Sequence, residues 1–166
     1  MKNCMGLSIQ KKCKKIRLVI SDVDGVLTDG GMYYTSNGDV MKKFHTRDGM
    51  GVTLLRKHKI PTIIVTKEKT KTVKQWAKKM KIGKLYDGII QKELIFDQIC
   101  NKFHVRPEQV AYIGDDVNDI KLLKKVGFAA VPHDAIKEVK NFSDYICKVK
   151  SGEGVLREVA DLILSS

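Results

Sequence analysis

Two carboxylates, those of Asp22 and Asp24, lie two positions apart directly after the apolar run of residues 16–20. Residues i and i+2 of a strand share a face, and open parallel sheets bind ligands at the carboxyl ends of their strands. Bare carboxylates there would repel an anionic substrate, but Mg²⁺ commonly combines one or two carboxylates with substrate phosphate. The pair therefore indicates phosphoryl transfer. The alternative is an ordinary turn at Asp24-Gly25, since Asp and Gly are both turn residues.

Three more polar positions along the chain favour phosphoryl transfer over a simple turn. Thr66 ends the apolar run of residues 62–65, Lys92 precedes a helix-like segment, and the acidic cluster GDDVND of residues 114–119 ends the run of residues 110–113. Because parallel strands end at one edge of a sheet, these groups are expected to converge with the carboxylate pair.

The segment DVDGVLTD of residues 22–29, Thr66, Lys92 and GDDVND resemble, in that order, the four motifs of the haloacid dehalogenase superfamily of phosphatases. The similarity runs from about Ile16 to Leu164. It extends to stretches outside these motifs, namely residues 44–49, 86–92, 110–119 and 152–158. These are similar to a branch that acts on 3-deoxy-ulosonic acid sugar phosphates, either 3-deoxy-D-manno-octulosonate 8-phosphate or a nonulosonate (sialic acid type) 9-phosphate.

The resemblance implies a Mg²⁺-dependent phosphatase that forms an aspartyl phosphate. Asp22 would be the nucleophile and Asp24 the general acid and base, while Thr66 and Lys92 would hold the phosphoryl oxygens. The metal would be bound by Asp22, by Asp24 through its backbone carbonyl, and by Asp115. Asp119 is either a helix N-cap, for which Asp is favoured, or, like Asp116 and Asn118, a residue that orients Asp115 or a metal-bound water.

The family-like segments also imply a set of substrate-binding residues. These are Asp24, His45, Thr46, Arg47, Asp48, Gly49, Glu68, Lys79, Lys92 and Asn118. Arg47 lies in an expected loop and either binds substrate or braces Asp48. Octulosonate phosphatases commonly place Gly-Arg after the second-motif Thr, whereas this chain has Lys67-Glu68. Glu68 and Lys79 favour a nonulosonate, although Lys79 is also typical of a solvated helix face.

Strand-like and helix-like segments alternate, which predicts an α/β fold with a parallel sheet. The resemblance makes it a Rossmann-like core with helices on both faces. Strands are predicted near residues 18–21, 62–65, 84–86, 111–114, 128–131 and 145–147, and helices near residues 51–58, 71–80, 94–103, 119–126, 135–141 and 155–164. Asn37-Gly38 between extended runs predicts a hairpin, which the resemblance makes a flap over the active site.

The gaps between the four motifs leave no room for a cap domain. None exceeds about 42 positions, whereas domains typically have at least about 50 residues. An uncapped site is open to water. The resemblance implies that a homotetramer supplies the missing walls, with flap hairpins and neighbouring subunits completing each site.

Composition excludes several other classes of protein. The 166 residues carry 31 Lys and Arg against 19 Asp and Glu, a net charge of +12. The lysines are spread along helix faces without aromatic interleaving, which argues against nucleic-acid binding, although the positive field would gather an anionic sugar phosphate. No run is long enough to span a membrane. Residues 1–15 are expected to be a mobile basic leader and residues 16–166 the phosphatase domain.

Four scattered cysteines, Cys4, Cys13, Cys100 and Cys147, favour a reducing, cytoplasmic setting. The resemblance implies a role in lipopolysaccharide or sialic acid biosynthesis. Two other functions remain open at this point. One is a phosphatase of the same fold for another small phosphorylated metabolite. The other is a non-catalytic oligomerisation module, but the presence of Asp22, Asp24, Lys92 and Asp115 argues against it.

Overall fold

A six-stranded parallel sheet with helices on both faces forms the centre of the computed structural model, which describes residues 6–166 apart from the side chains of residues 39 and 40. Its strands are β1 (Leu18–Ser21), β4 (Thr62–Val65), β5 (Lys84–Tyr86), β6 (Val110–Ile113), β7 (Phe128–Val131) and β8 (Tyr145–Ile146). A separate antiparallel hairpin consists of β2 (Tyr33–Thr35) and β3 (Gly38–Met41).

The helices are α1 (Leu7–Cys13), α2 (Thr46–Lys57), α3 (Lys71–Met80), α4 (Phe96–Phe103), α5 (Ile120–Leu123), α6 (Lys137–Lys140) and α7 (Val155–Leu164). Short 3₁₀ helices span Lys92–Leu94, Pro107–Gln109 and Val117–Asp119.

The order of the strands in the sheet is β5-β4-β1-β6-β7-β8, so β1 lies between β4 and β6. After β1, the strands β4 and β5 are added on one side of β1, and β6, β7 and β8 are then added on the other side. In sheets of this kind, ligands bind outside the carboxyl ends of the strands at the point where the strand order reverses. That point is the carboxyl end of β1, where Asp22 follows Ser21.

Two hydrophobic cores separate the sheet from its helices, because alternate residues of each strand point to opposite faces. Val19 of β1 belongs to the core that contains residues of α1, α2, α3 and α7, and Ile20 belongs to the core that contains residues of α4, α5 and α6. All four residues of β1 are buried, as expected for a strand covered on both faces. The predicted fold class is therefore confirmed.

Predicted and observed element bounds agree at most sheet strands and differ at several helix ends. Helix α2 begins at Thr46 instead of near Gly51, because the imidazole of His45 caps it by accepting a hydrogen bond from the backbone N–H of Arg47. The expected loop of residues 45–49 is therefore the N-cap and the first turn of a helix. Helix α4 begins at Phe96, since the preceding residues 92–94 form a 3₁₀ helix.

The N-terminal region differs from the expected mobile leader. Residues 7–13 form α1, which packs against α7 and β7, and Cys13 is buried in the core. Lys12 also forms an ion pair with Asp144. Packed structure thus begins before the expected domain boundary at Ile16, and residues 1–5 of the expected leader lie outside the described residues.

The hairpin of β2 and β3 confirms the predicted hairpin, and it follows the carboxylate pair in the chain. Within residues 6–166, each interval between the sheet strands contains helices, loops or this hairpin, and none contains a second domain. Over the same range, every helix is too short or too polar to cross a lipid bilayer.

Candidate active site

The carboxyl edge of the sheet gathers the predicted catalytic groups around one small cavity. Asp22 follows β1, Thr66 follows β4 and Asp115 lies two residues beyond β6. The cavity has a volume of about 150 Å³ and is lined by Asp22, Asp24, Thr66, Lys67, Glu68, Asp115, Asp116 and Asn118. Three of the four predicted motifs therefore line a single cavity, as their positions after the parallel strands required.

The backbone at Gly25 lets the first and fourth motifs approach each other. Gly25 has a φ of +83°, and a Cβ at this position would lie 2.0 Å from a carboxylate oxygen of Asp115. Residues with a side chain rarely adopt this conformation, and the space for a side chain is already occupied. The glycine after the carboxylate pair is therefore needed both for the turn and for the close approach of Asp115.

Lys92, the third predicted motif, lies beneath the cavity and is almost completely buried. Its Nζ is 2.6 Å from Oδ2 of Asp22 and 2.7 Å from Oδ1 of Asp119. Burial alone would lower the pKa of Lys92, but the carboxylates of Asp22 and Asp119 outweigh it and raise the pKa. The lysine therefore remains an ammonium group beside the predicted nucleophile.

Asp119 is the residue that holds Lys92 in place. Its Oδ1 accepts hydrogen bonds from Lys92 and from the hydroxyl of Tyr112, and the latter is 2.6 Å long. Its Oδ2 accepts the backbone N–H groups of Asp115 at 2.9 Å and of Asp116 at 3.4 Å. Asp119 occupies the N-cap position of α5, as one alternative predicted, but its side chain makes no capping hydrogen bond to α5. Asp119 therefore orients the backbone of Asp115 and also anchors Lys92.

Tyr112 was missed by the sequence analysis as a functional residue. It is fully buried, and its hydroxyl lies 3.3 Å from Nζ of Lys92 as well as against Asp119. Burial, followed by the nearby carboxylates, raises the pKa of Tyr112 well above its usual value, so the hydroxyl stays protonated and donates. A tyrosine in an apolar run gives no sequence signal beyond core packing.

The carboxylates of Asp22, Asp115 and Asp119 each bring one oxygen within 4.8 Å of the others. Only one cation, Lys92, forms ion pairs with this cluster among the residues described. Oδ1 of Asp115 is buried and has no hydrogen-bond partner. The cluster therefore has an excess of negative charge and a free hard-oxygen ligand, which fits a divalent cation such as Mg²⁺.

Asp115 offers the clearest carboxylate ligand, because its Oδ1 has no hydrogen-bond partner. Both oxygens of Asp119 accept hydrogen bonds, and Asp22 accepts the backbone N–H of Val23 at Oδ1 and contacts Lys92 at Oδ2. The predicted ligand set of Asp22, Asp115 and the backbone carbonyl of Asp24 stays a prediction. Without metal, burial raises the pKa of Asp22 to about 7 and that of Asp115 to about 8, and nearby carboxylates add to both shifts. A cation would reverse this proton uptake by favouring the charged forms.

Asp24 has an ion-pair partner that the sequence analysis did not identify. Nζ of Lys42 lies 2.6 Å from Oδ1 of Asp24, and the Lys42 side chain is completely buried. Lys42 follows β3, so it joins the end of the hairpin to the carboxylate pair. In the sequence it is one of two adjacent lysines, a pattern that is typical of exposed surface residues.

The predicted substrate-binding residues do not all meet in one place. Asp24, Glu68 and Asn118 line the small cavity, and Lys92 lies beneath it. His45, Thr46, Gly49 and Lys79 line a different cavity of about 470 Å³, beside the stacked rings of Phe44 and Trp76. Arg47 lines a third cavity of about 570 Å³ with Arg157 and Lys148.

Asp48 is a structural residue and not a surface ligand for substrate. It is fully buried in α2, and its Oδ1 accepts the backbone N–H of Arg157 at 3.0 Å, in the first turn of α7. The N-cap of α7, Gly154, has no side chain to do this. Asp48 therefore caps α7 from a neighbouring helix, and Arg47 points to a separate cavity instead of bracing it.

The glycine-rich turn before α7 packs against the first motif of its own chain. The backbone N–H of Gly152 donates to the carbonyl of Val26, and the hydroxyl of Ser151 donates to the carbonyl of Gly25 at 2.6 Å. Gly152 has a φ of +70°, and a Cβ there would lie 2.6 Å from the backbone nitrogen of Asp29. The turn therefore holds the backbone of the loop that follows the carboxylate pair.

The fold and the site define a hydrolase of the haloacid dehalogenase type, and the chain belongs to that family. The family model described as haloacid dehalogenase-like hydrolase matches residues 56–159. This range contains the second, third and fourth motifs. The family resemblance inferred from the motifs is confirmed.

Relatives with established names extend the match to nearly the whole chain. The 3-deoxy-D-manno-octulosonate 8-phosphate phosphatase of Escherichia coli (strain B / BL21-DE3) is 38% identical over 160 residues, which is 96% of this chain and 85% of the relative. The crystal structure of the corresponding phosphatase from Yersinia pestis is 34% identical and superposes with a TM-score of 0.94, covering 99% of this chain and 91% of that one.

A third relative was solved with ligands. The structure of 3-deoxy-D-manno-octulosonate 8-phosphate phosphatase from Moraxella catarrhalis contains a magnesium ion, a phosphate ion and a KDO molecule. It is 34% identical to this chain and has a TM-score of 0.91, covering 95% of this chain and 90% of that one. With these relatives and the site geometry, the chain is a phosphoric monoester hydrolase.

Proposed function

We propose that the protein hydrolyses the terminal phosphate monoester of a 3-deoxy-ulosonic acid sugar phosphate, with 3-deoxy-D-manno-octulosonate 8-phosphate as its substrate. The observation that carries this proposal is the cluster of Asp22, Asp115 and Lys92 at the carboxyl edge of the sheet, in a chain that matches octulosonate phosphatases over nearly its full length. The KDO molecule bound to the Moraxella catarrhalis relative supports the same substrate class.

The reaction proceeds in two displacements. A carboxylate oxygen of Asp22 forms a bond to phosphorus while the bond from phosphorus to the sugar oxygen breaks, and Asp24 gives that oxygen a proton. A water molecule then attacks phosphorus and returns its proton to Asp24, while the bond to Asp22 breaks and releases inorganic phosphate. Asp22 and Asp24 end in their starting states.

The remaining groups act on charge and position. Lys92 lies 2.6 Å from Asp22 and supplies positive charge where negative charge spreads over the phosphoryl oxygens. The hydroxyl of Thr66, buried at the end of β4, would hold another oxygen of the same group. When bound by Asp22 and Asp115, Mg²⁺ would neutralise charge on the phosphate and help to orient it.

A homotetramer would complete the site. Several side chains of the hairpin region are exposed although they are apolar, and these are Met32, Tyr33, Tyr34 and Met41. The residues expected to bind the sugar are divided among three cavities of one chain. Contacts between subunits would cover the apolar side chains and supply walls to the open site. A monomer in multi-angle light scattering would contradict this part of the proposal.

Substrate identity separates the two branches that the sequence resembles. Glu68 lines the catalytic cavity, which supports a nonulosonate, but Lys79 lies at the separate cavity near Trp76. The relatives described above are octulosonate phosphatases, and their agreement over almost the entire chain outweighs the single match at Glu68. We therefore revise the preference drawn from the sequence and place octulosonate 8-phosphate first.

The proposed setting is the bacterial cytoplasm, in the biosynthesis of lipopolysaccharide or, for the alternative substrate, of sialic acid. Cys13, Cys100 and Cys147 are unpaired thiols, which fits a reducing compartment. The expected partner is the small anionic sugar phosphate, drawn in by the net charge of +12.

The test is the release of inorganic phosphate with Mg²⁺ from octulosonate 8-phosphate, nonulosonate 9-phosphate and a panel of other sugar phosphates. We expect the highest kcat/KM for octulosonate 8-phosphate and essentially no turnover by Asp22→Asn. Preference for an unrelated phosphate would redirect the proposal to another small metabolite. No turnover of any phosphate monoester would favour a non-catalytic oligomerisation module.

A further inference from the structure

A buried ion pair connects the hairpin to the proposed general acid and base. Nζ of Lys42 lies 2.6 Å from Oδ1 of Asp24, and the Lys42 side chain has no solvent exposure. Its neighbour Lys43 is 62% exposed and makes a longer contact of 3.5 Å with Asp29. Burying an ammonium group is costly unless it is paired in good geometry, so the contact with Asp24 is a defined feature of the fold.

The two oxygens of Asp24 have different surroundings. Oδ1 receives Lys42 and, at 3.4 Å, the hydroxyl of Thr28. Oδ2 is buried and has no hydrogen-bond partner, although Asp24 lines the catalytic cavity. One oxygen is thus held by the protein while the other remains available. A general acid must present one defined oxygen within hydrogen-bond reach of the group that it protonates.

We propose that Lys42 is a positioning residue, which fixes Oδ1 of Asp24 so that Oδ2 performs the proton transfers. The inference rests on the proposed function, because it assigns Asp24 the role of acid and base. Oδ2 gives its proton to the departing sugar oxygen in the first displacement and receives a proton from the attacking water in the second. Lys42 remains an ammonium group throughout and exchanges no proton with the substrate.

The place of Lys42 in the chain gives this contact a second consequence. The residue follows directly after β3, which ends at Met41, so the hairpin and the carboxylate are connected through one side chain. The position of the hairpin then determines the orientation of the Asp24 carboxylate. With the hairpin in the position seen here, Oδ1 is bound to Lys42 and Oδ2 has no hydrogen-bond partner.

Three variants test the proposal, namely Lys42→Met, Lys42→Arg and the control Lys43→Met. Methionine keeps the length of the buried side chain and removes its charge, and arginine keeps the charge. Single-turnover rates are measured with a sugar phosphate, whose leaving oxygen needs a proton, and with 4-nitrophenyl phosphate, whose leaving group departs without one. The second substrate reports the first displacement through its burst of 4-nitrophenolate.

We expect Lys42→Met to lower the single-turnover rate on the sugar phosphate by about 10- to 100-fold, within the range that general acid catalysis contributes. Its burst rate with 4-nitrophenyl phosphate should stay within about threefold of the wild type, since that step needs no acid. Lys42→Arg should recover part of the loss, and Lys43→Met should match the wild type. Equal losses on both substrates, or no loss on either, would overturn the proposal.

A double-mutant cycle provides an independent measurement, because residues that act as one unit are not additive. In the Asp24→Asn background, Lys42→Met should lower the rate by less than about twofold. Full additivity would overturn the proposal. If Lys42→Met does not fold, Lys42→Gln replaces it, and failure of both to fold would make Lys42 a structural residue. Absence of turnover in the wild type would instead contradict the proposed function.

Discussion

Lys92 and Asp22 form a buried ion pair of 2.6 Å between the third and the first catalytic motif. Lys92 is also held by Asp119, so one ammonium group lies between two carboxylates. Local helix or strand formation does not by itself bring either carboxylate to Lys92. The parallel sheet brings these segments, which are far apart in the sequence, to one edge, where the ammonium group and the two carboxylates meet.

Mg²⁺ affinity should rise steeply with pH. Burial, together with the nearby carboxylates of Asp22 and Asp119, raises the pKa of Asp115 to about 8, so Asp115 holds a proton in the metal-free protein near neutral pH. Metal binding to this carboxylate must release the proton, and affinity therefore increases as pH rises from 6 to 8. Isothermal titration calorimetry in buffers of different ionisation enthalpy measures the release. Affinity that is independent of pH would contradict the assignment of Asp115 as a ligand.

Replacement of Gly25 by alanine should abolish the metal site without affecting the rest of the sheet. The φ of +83° and the carboxylate of Asp115 both exclude a Cβ. We expect a loss of stability of about 1–3 kcal/mol from the strained backbone and a loss of Mg²⁺-dependent activity. Thermal unfolding and calorimetry check the two effects, and Gly6→Ala is a matched control because a Cβ there meets nothing within 4 Å. Normal Mg²⁺ binding by Gly25→Ala would contradict the proposed packing.

Removal of the Tyr112 hydroxyl tests the network that holds Lys92. Tyr112→Phe leaves Asp119 with one donor fewer at Oδ1 and should cost roughly 1 kcal/mol or more of stability. We expect kcat to fall several-fold and KM to change little, because Lys92 then loses part of its fixed position. Steady-state kinetics separates the two parameters. The network would have no catalytic role if kcat stayed the same in a variant that is measurably less stable.

Asp48 should make stability decrease between about pH 4 and pH 6. Burial raises the pKa of Asp48 to about 6, against about 4 in an unfolded chain. The folded state therefore holds this proton more tightly, and the stabilisation, complete below pH 4, is lost as pH rises through 6. Asp48→Asn retains an oxygen that can accept the N–H of Arg157 and cannot ionise.

Relative to the wild type, Asp48→Asn should gain roughly 2 kcal/mol between pH 4.5 and pH 7.5, from a shift of about two pKa units. Urea unfolding at the two pH values measures this difference. A constant difference between Asp48→Asn and wild type across this range would show that Asp48 is not the titrating group.

The sequence alone predicts the sheet and the catalytic centre well, because both depend on strand ends. Asp22, Thr66 and Asp115 directly follow or lie close to apolar runs that became buried strands, and parallel strands bring such ends together. Lys92 was also identified, from its place before a helical segment. For these residues, position along the chain determines position in space.

Other features depend on packing that no local pattern records. Lys42 has the sequence pattern of a surface lysine but lies buried against Asp24. Asp48 resembles a binding residue in a loop but caps the N-terminus of α7. Helix α1 lies in a stretch that looks like a basic tail, yet Cys13 packs in the core. Each depends on a partner far away in the sequence.

The central claim is that Asp22 is transiently phosphorylated during turnover. Rapid quenching with substrate, followed by reduction with borohydride, converts an aspartyl phosphate to homoserine, which mass spectrometry locates by sequence. We expect homoserine at position 22 in the presence of Mg²⁺ and none in Asp22→Asn. Homoserine at another position, or steady turnover with no trapped residue at position 22, would contradict it.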